Sequence, residues 1–410
     1  ADVAGAIGGL SNLTIKVKNS IFVHNSAYHY GGAIAGSDSL NLIIGDSKFD
    51  NNSAMYGGAI RMSYGSKLSI TDSLFYDNFA ITYGGAISAY DYAMITVSNT
   101  NFNKNHADGQ GISDGGAIYA NASSIITIID SNFTKNNASD LGGAIYGEAD
   151  SLINVTGSIF DDNNAGQRGG AIRAYSNATV LIDNSIFVKN NASTYGGAVG
   201  VYANSTAVVM NTFFGNNTAT IRGGAVRVNE NSTLTVINCT FDSNTVNDGE
   251  GDSFGGAIGG YANSTINIIE SKFVNNTAIY GGAIRIDIDS ELNIFDSLFD
   301  DNYATVYGGA ISAYDRAKIT INNTTFIGND ATGTNDSMGG AIYANASSII
   351  TIIDSNFLYN NVTNSGGAVY AQTGSLINVT GSIFYDNNAE DKGGAIRAYS
   401  NATVLIDNSI

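Results

Sequence analysis

A short motif repeats along almost the whole chain. Gly-Gly-Ala followed by Ile or Val occurs 14 times, and most copies are about 27 residues apart, with longer steps before Gly115, Gly255 and Gly339. A second motif, Phe-x-x-Asn, also occurs 14 times and keeps nearly the same phase. A fixed period of this size is typical of solenoids, in which each repeat buries its apolar face only against its neighbours. The chain is therefore expected to fold as an array of coils.

The array also has a longer period of about 224 residues, which contains eight units and which we call the super-repeat. Gly115 and Gly339 begin two GGA motifs that are one such period apart, and residues 169–186 recur letter for letter at 393–410. We expect one continuous domain, 1–410, with approximate copies at 1–186, which is partial, and 187–410. The chain starts without Met and stops inside a unit, so we expect it to be a window on a longer array.

Each unit favours strands over helices. It has no long stretch with helical periodicity, and its Thr, Ile, Val, Asn and Gly content is typical of strands and turns. The alternating segments Ala171 to Tyr175 and Thr179 to Asp183, with a third around Ile186 to Asn190, predict three strands per coil. Proline, which cannot donate to a ladder of strands, is absent. The sequence predicts an all-β, right-handed parallel β-helix of about 15 coils, with about 27 residues and three strands per coil.

The two motifs together resemble the repeat of the polymorphic outer-membrane-protein family. This family is familiar from chlamydial surface autotransporters and from adhesin-like surface proteins of methanogenic archaea. The likeness extends over essentially the whole chain. It implies an extracellular, cell-surface β-helix with a structural or adhesive role. The single cysteine and the abundance of Asn and Ile are more like the archaeal members.

The residue after each GGA[IV] motif is expected to point outward from its strand. Its column alternates in blocks between Arg and Tyr, and further Tyr residues follow two positions later. Such a stripe suits glycans or another protein surface, because Tyr offers contact area with a polar end and Arg offers planar donors. Tyr and Arg are also ordinary residues on the solvent side of a strand, and this second interpretation stays open. The candidate ligand-binding residues are Arg61, Tyr119, Tyr146, Arg173, Arg227, Arg285, Tyr343, Tyr370 and Arg397.

The charge of the chain restricts its partners. The formal net charge is −18, so phosphate backbones and anionic lipids are repelled. No apolar run reaches the roughly 18 residues that a membrane span needs. We therefore expect no nucleic acid and no direct membrane span. The expected partners are surface glycans or proteins, and either copies of the chain stacked end to end or a longer chain of the same repeats, forming a rod or fibre.

Glycosylation sequons are frequent and some share one place in the unit. Asn-x-Ser/Thr occurs 21 times. Five of these asparagines lie five residues after the Ile or Val of the GGA motif, in a predicted exposed turn. We expect a glycoprotein modified at Asn177, Asn204, Asn231, Asn263 and Asn401.

Two other functions remain as alternatives. Polysaccharide lyases and hydrolases also use β-helices, but the pairs Asp161 with Asp162 and Asp300 with Asp301 are adjacent, and adjacent strand residues face opposite ways. We therefore expect no enzyme and no cofactor. The other alternative is a calcium-stabilised structural fibre, because one long step carries acidic side chains at alternate positions, although a solvated insertion is the favoured interpretation of this step. The candidate metal ligands are Asp248, Glu250 and Asp252.

Overall fold

The computed structural model describes residues 1–109, 111–246 and 253–410. Over these residues the protein is an all-β, right-handed parallel solenoid of about 15 turns with about 27 residues each. The predicted fold class is thus confirmed. The chain divides into two compact units, Ala1–Val208 and Val209–Ile410, and each unit is described by itself.

Four sheets run through the coils of each unit, and neighbouring strands within a sheet are parallel. In the first unit, the first sheet contains Ile7–Gly9, Ile34–Gly36, Ile60–Met62, Ile87–Ala89, Ile118–Ala120, Ile145–Glu148, Ile172–Tyr175 and Val199–Tyr202. The second sheet contains Thr14–Lys18, Asn41–Gly45, Lys67–Thr71, Met94–Ser98, Ile125–Ile129, Leu152–Thr156 and Thr179–Asp183. The third contains Ile21–Val23, Lys48–Asp50, Leu74–Tyr76, Asn101–Asn103, Asn132–Thr134, Ile159–Asp161 and Ile186–Val188. The fourth contains Ser53–Tyr56, Phe79–Tyr83, His106–Ala107, Asn137–Ala138, Asn164–Ala165 and Asn191–Ala192.

The second unit repeats this arrangement. Its first sheet contains Val226–Asn229, Ile258–Tyr261, Ile284–Ile286, Ile311–Ala313, Ile342–Ala344, Val369–Ala371 and Ile396–Ala398. The second contains Thr233–Ile237, Thr265–Ile269, Glu291–Phe295, Lys318–Asn322, Ile349–Ile353, Leu376–Thr380 and Thr403–Asp407, and Thr206–Met210 spans the residues where one unit ends and the next begins. The third contains Phe213–Gly215, Thr240–Asp242, Lys272–Val274, Leu298–Asp300, Thr325–Ile327, Asn356–Leu358 and Ile383–Tyr385. The fourth contains Thr218–Ala219, Thr245–Val246, Thr277–Tyr280, Tyr303–Tyr307, Asp330–Ala331, Asn361–Val362 and Asn388–Ala389.

The fourth sheet was not predicted, and the expected count of three strands per coil is wrong. Most strands of this sheet have only two residues, such as Asn164–Ala165. A two-residue segment is too short to show an alternating pattern in the sequence. It pairs in register with the next coil, Asn164 with Asn191 and Ala165 with Ala192, because the flanking strands already hold the coils in place.

The interior is built from ladders of identical side chains. Within each unit, successive Phe rings of the Phe-x-x-Asn motif stack with centroids 4.6–4.9 Å apart. The asparagines form a second ladder: Asn78 Nδ2 donates to Asn105 Oδ1 at 2.9 Å and to the Phe49 carbonyl oxygen at 3.0 Å. The buried side-chain amide thus donates hydrogen bonds to both neighbouring coils, and these bonds fix the register of the coils along the axis.

The paired glycines form a corner that admits no side chain. Gly84 has a φ of +66°, and a Cβ there would lie 2.0 Å from the Ile87 carbonyl oxygen. A Cβ on Gly85 would lie 2.1 Å from the Gly116 carbonyl oxygen of the next coil. The corner therefore needs glycine twice, once for its backbone conformation and once for the close approach of the neighbouring coil. It places the residue before the glycines and the residue after Ile87 close together on the outer surface.

Candidate ligand-binding grooves

The candidate ligand-binding residues that follow the GGA[IV] motifs lie on the face of the first sheet opposite the core. Most of them are nevertheless buried, so the expectation of an exposed stripe is wrong. Tyr119, Tyr146, Arg173, Arg227, Arg285, Tyr343 and Tyr370 are at most 8% exposed, whereas Arg61 and Arg397 are partly exposed. The cover is a second column, formed by the residue that precedes each glycine pair and bridges to its equivalent in the next coil.

In the first unit these two columns form a continuous track of tyrosine rings. Tyr30, Tyr56 and Tyr83 precede glycine pairs, and their successive centroids are 5.7 and 5.8 Å apart. The ring of Tyr119 then stacks on that of Tyr83 at 4.3 Å, and Tyr146 follows at 5.6 Å. The first three rings are partly or largely exposed. We call this track, with the side chains around it, the first groove.

A short hydrogen-bond relay closes one end of the first groove. Asn121 Nδ2 donates to the Tyr119 hydroxyl oxygen at 3.2 Å, and the Tyr119 hydroxyl donates to Glu148 Oε2 at 3.0 Å. Asn121 Oδ1 accepts from its neighbouring backbone amide of Ala122 at 2.6 Å, which fixes the amide orientation. Glu148 is half-buried, and no ion pair to it within 4.0 Å occurs in the part of the chain that the structure describes.

The second unit carries the same groove one super-repeat later. Its track runs through Phe254, Tyr280, Tyr307, Tyr343 and Tyr370, with successive centroids 5.3, 5.5, 4.4 and 5.8 Å apart. An open cavity of about 350 Å³ runs along it. The residues that line this cavity are Phe254, Tyr280, Arg285, Tyr307, Tyr314, Tyr343, Asn345 and Gln372.

The relay is repeated in this second groove with one change. Asn345 Nδ2 donates to the Tyr343 hydroxyl oxygen at 2.9 Å, and that hydroxyl donates to Gln372 Oε1 at 3.0 Å. Gln372 therefore stands where the first groove has Glu148. The shape of the groove end is kept while its charge is removed.

Arginines brace both grooves by stacking on tyrosines of the next coil. The guanidinium carbon of Arg61 lies 3.9 Å from the Tyr90 ring centroid, and that of Arg285 lies 5.4 Å from the Tyr314 centroid. In each case the residue that pairs with the arginine in the adjacent strand of the next coil is small: Ser88 pairs with Arg61, and Ser312 pairs with Arg285. The same combination occurs for Arg173 with Gly200 and Tyr202, and for Arg227 with Gly259 and Tyr261. This covariation of a small residue with a tyrosine two positions later is visible in the sequence and was missed.

Electrostatically, the first groove is acidic at its closed end. Burial raises the pKa of Asp114 to about 8, and repulsion from Asp140 adds to the shift while Arg173 opposes it. Asp114 is 3% exposed, and its Oδ1 atom has no hydrogen-bond partner among the described residues. Burial also raises the pKa of Tyr83, as do Asp114 and Glu148. The carboxyl groups of Asp114, Asp140 and Glu148 thus all interact electrostatically with one end of the tyrosine track.

The second groove is neutral at the equivalent end. Met338, Asn364 and Gln372 occupy the positions of the three carboxyl groups. Its acidic groups lie elsewhere: Asp287 Oδ2 accepts from Arg285 at 3.1 Å in a buried ion pair, and Asp336 contributes to the raised pKa of Tyr307, for which burial is the main cause. The equivalent of Asp287 in the first unit is Ser63, so Arg61 has no such carboxylate there, and burial lowers its pKa.

The five candidate glycosylation sites share one geometry. Asn177, Asn204, Asn231, Asn263 and Asn401 are exposed in the turn between the first and second sheets. Each has a φ between 58° and 61°. Asparagine tolerates this left-handed conformation better than most residues, which explains its recurrence at the turn. The side chains are therefore accessible to a modifying enzyme.

The candidate calcium site cannot be placed. Asp248, Glu250 and Asp252 lie outside the described residues. Among the residues that are described, no group of three His, Cys, Asp or Glu side chains is arranged to hold a metal ion. Within the same residues, no helix has the length and apolar character that crossing a membrane requires.

Comparisons with known proteins bear on the repeat itself. A family model described as a right-handed beta helix region matches residues 143–336, and the model of the Chlamydia polymorphic membrane protein repeat matches residues 130–148. No curated protein matches the sequence. Two solved structures of the PL6 family alginate lyase AlyGC are similar to the chain. The first has 8% sequence identity and covers 98% of this chain and 95% of its own, and the second, a point mutant, has 9% identity and covers 93% and 86%. Both have a TM-score of 0.20, which is too low to support an inference. The chain carries a β-helix repeat similar to that of the polymorphic membrane proteins.

Proposed function

We propose that the chain is an extracellular, cell-surface adhesive protein that binds glycans through its two aromatic grooves and catalyses no reaction. The observation that carries the proposal is a track of five aromatic rings in successive contact, present once in each unit, with an open cavity along the track of the second unit. Binding sites for small molecules are typically concave, lined by aromatic groups and furnished with a few fixed polar groups. The Asn, Tyr and Glu or Gln relay supplies such polar groups at the end of each track.

The chemistry of the grooves favours a sugar over other ligands. The exposed parts of the tyrosine rings provide apolar contact for the C–H groups of a saccharide, and hydroxyl groups at their edge provide hydrogen bonds. A net charge of −18 disfavours nucleic acid. Sequence similarity to surface proteins of the polymorphic membrane protein type supports a location where glycans are available. The same proposal includes relatedness of the chain to the archaeal adhesin-like members of that family. It also includes stacking of the chain with further copies of its repeat.

A lyase or hydrolase is the less favoured alternative. Such an enzyme needs a base that loses its proton readily near a bound sugar. Burial raises the pKa of Tyr83 in the first groove, and it likewise raises the pKa of Tyr343 in the second. These hydroxyl groups therefore hold their protons, and the proton of Tyr343 is donated to Gln372 Oε1. A calcium-stabilised fibre gains no support from the described residues.

A glycan array probed with the full chain tests the proposal. Wild-type protein is expected to bind a subset of oligosaccharides, and a double variant with Tyr83→Ala and Tyr307→Ala, which removes the central ring of each track, is expected to lose at least tenfold in affinity. Tyr359→Ala is the matched control, because Tyr359 is an exposed tyrosine in a turn of the second unit that does not line a groove. Absence of any bound glycan, or equal binding by the double variant, would overturn the proposal.

A further inference from the structure

The two grooves have the same shape but differ in charge at one end. The lining residues of the second groove have counterparts one super-repeat earlier, and the aromatic track and the relay are retained in both. At the relay, Glu148 of the first unit replaces Gln372 of the second, with the same 3.0 Å contact to a tyrosine hydroxyl. At this position the charge changes while the hydrogen-bonded shape is kept, which indicates a difference in ligand.

The negative charge of the Glu148 carboxylate is poorly compensated by neighbouring groups of the described chain. Only one of its oxygens, Oε2, receives a side-chain hydrogen bond from a described residue, and that donor is the neutral Tyr119 hydroxyl. The arginines nearby act on other carboxyl groups: Arg173 and Arg168 lower the pKa of Asp140, against the larger effect of burial. The half-exposed carboxylate therefore lies at the end of the aromatic track with a free oxygen facing no cation of the described chain.

The lining of the second groove differs at this place. In the second groove the cavity is lined instead by Arg285 and by the neutral amides of Asn345 and Gln372.

We propose that the first groove selects saccharides that carry a free amino group, with Glu148 pairing the ammonium, whereas the second groove takes the neutral, N-acylated form of such saccharides. This inference rests on the proposed glycan-binding function and names the class of sugar for each groove. Binding here is non-covalent and involves no chemical step. The amide of a neutral amino sugar matches Gln372 and Asn345 as a hydrogen-bonding partner, whereas an ammonium has no acceptor of opposite charge among them.

Each groove is tested alone in the full chain by removing the central ring of the other. The Tyr307→Ala background leaves the first groove, and the Tyr83→Ala background leaves the second. Calorimetric titration uses two probes of equal length, a glucosamine tetramer and an N-acetylglucosamine tetramer, at low and high salt. The first groove is expected to prefer the amine form by about fivefold at low salt, as for one partly exposed ion pair, and to lose that preference at high salt.

Exchange of one side chain should transfer the preference. Glu148→Gln in the first-groove background is expected to abolish the roughly fivefold preference for the amine form, and Gln372→Glu in the second-groove background is expected to create it. Both substitutions keep an oxygen that accepts from the tyrosine hydroxyl, so folding is preserved. If both probes bind and the preference does not follow residues 148 and 372, the inference is wrong while the proposed function stands. If neither probe nor any arrayed glycan binds, both fail.

Discussion

The first and second grooves show how one scaffold carries two surfaces. Their tracks have matching stacking distances, 4.3 Å between Tyr83 and Tyr119 and 4.4 Å between Tyr307 and Tyr343. The charged residues around them differ: a buried ion pair supports Arg285 in one groove, and the buried Asp114, whose Oδ1 atom lacks a partner among the described residues, lies beside the other. The shared geometry comes from the ladders beneath, which fix the backbone independently of these side chains. Surface chemistry is thereby free to diverge between copies.

The largest effects are expected from the shared scaffold and should be equal in the two copies. Phe102→Ala and its equivalent Phe326→Ala each remove a fully buried ring from a stack. Each is expected to cost about 3 to 5 kcal/mol, because a cavity remains between two rings. Each coil depends on its neighbours, so the loss should be confined to a few coils. Hydrogen exchange should report faster exchange around the substituted coil only; a much larger loss in one copy would break the equivalence.

The next effect distinguishes the two grooves at their arginines. Asp287→Ser installs in the second groove the residue that the first groove has, Ser63, and leaves Arg285 buried without its ion pair. The expected cost is about 3 kcal/mol, because the guanidinium loses its compensating charge.

The reciprocal change is the control for that prediction. Ser63→Asp offers Arg61 a carboxylate and is expected to stabilise the first unit by about 1 kcal/mol. Local hydrogen-exchange free energies measure both. Destabilisation by Ser63→Asp would show that the grooves differ in more than this pair.

The third effect concerns pH and should appear in the first groove alone. The pKa of Asp114 is raised to about 8, mainly by burial. The folded state therefore keeps a proton that the unfolded state releases above about pH 4, so the contribution of Asp114 to stability falls as pH rises from about 4 to about 8 and then levels off. Asp114→Met, which copies Met338, is expected to stabilise the first unit by about 1 to 3 kcal/mol near neutral pH.

The pH dependence of local hydrogen exchange checks this prediction. After correction for intrinsic exchange rates, coils around Asp114 should become less protected between pH 6 and pH 9, and Asp114→Met should reduce the trend, with a remainder from Asp140, whose pKa burial also raises. The same loss of protection in the Asp114→Met variant would exclude Asp114 as its cause.

The smallest effect lies in the relays. Asn121→Ala and Asn345→Ala each remove a donor to a tyrosine hydroxyl, at 3.2 and 2.9 Å respectively. Each is expected to cost about 1 kcal/mol, the net value of one such hydrogen bond. Thermal unfolding of the two variants should shift by similar amounts. A clear difference between the two thermal shifts would mean that the hydrogen bond from the tyrosine hydroxyl to Glu148 differs in strength from the equivalent bond to Gln372.

Sequence patterns predicted the interior well because interior ladders repeat one residue type in every coil. The Phe stack, the Asn ladder and the glycine corner all follow from the short period of the two motifs. The grooves were harder to predict because they combine two columns from opposite sides of the glycine pair. Tyr83 lies at the end of a strand of the fourth sheet and Tyr119 lies in a strand of the first sheet, and nothing in the local alternation shows that their rings stack.

The burial of the arginine and tyrosine column also depends on non-local packing. Alternation placed Arg173 and Arg285 correctly on the face away from the core but could not show that neighbouring rings cover them. The acidic loop with Asp248, Glu250 and Asp252 remains a sequence prediction. The occupancy of the five asparagine sites likewise remains a prediction, although their exposure fits it.

The stoichiometry of glycan binding tests the central claim most directly, because two equivalent grooves in one chain predict a definite number. Calorimetric titration of the full chain with a short oligosaccharide that both grooves bind should give two sites per chain, one site after Tyr83→Ala or Tyr307→Ala, and none when both are replaced. A stoichiometry that stays unchanged in all three variants would contradict the assignment of the tyrosine tracks as binding grooves.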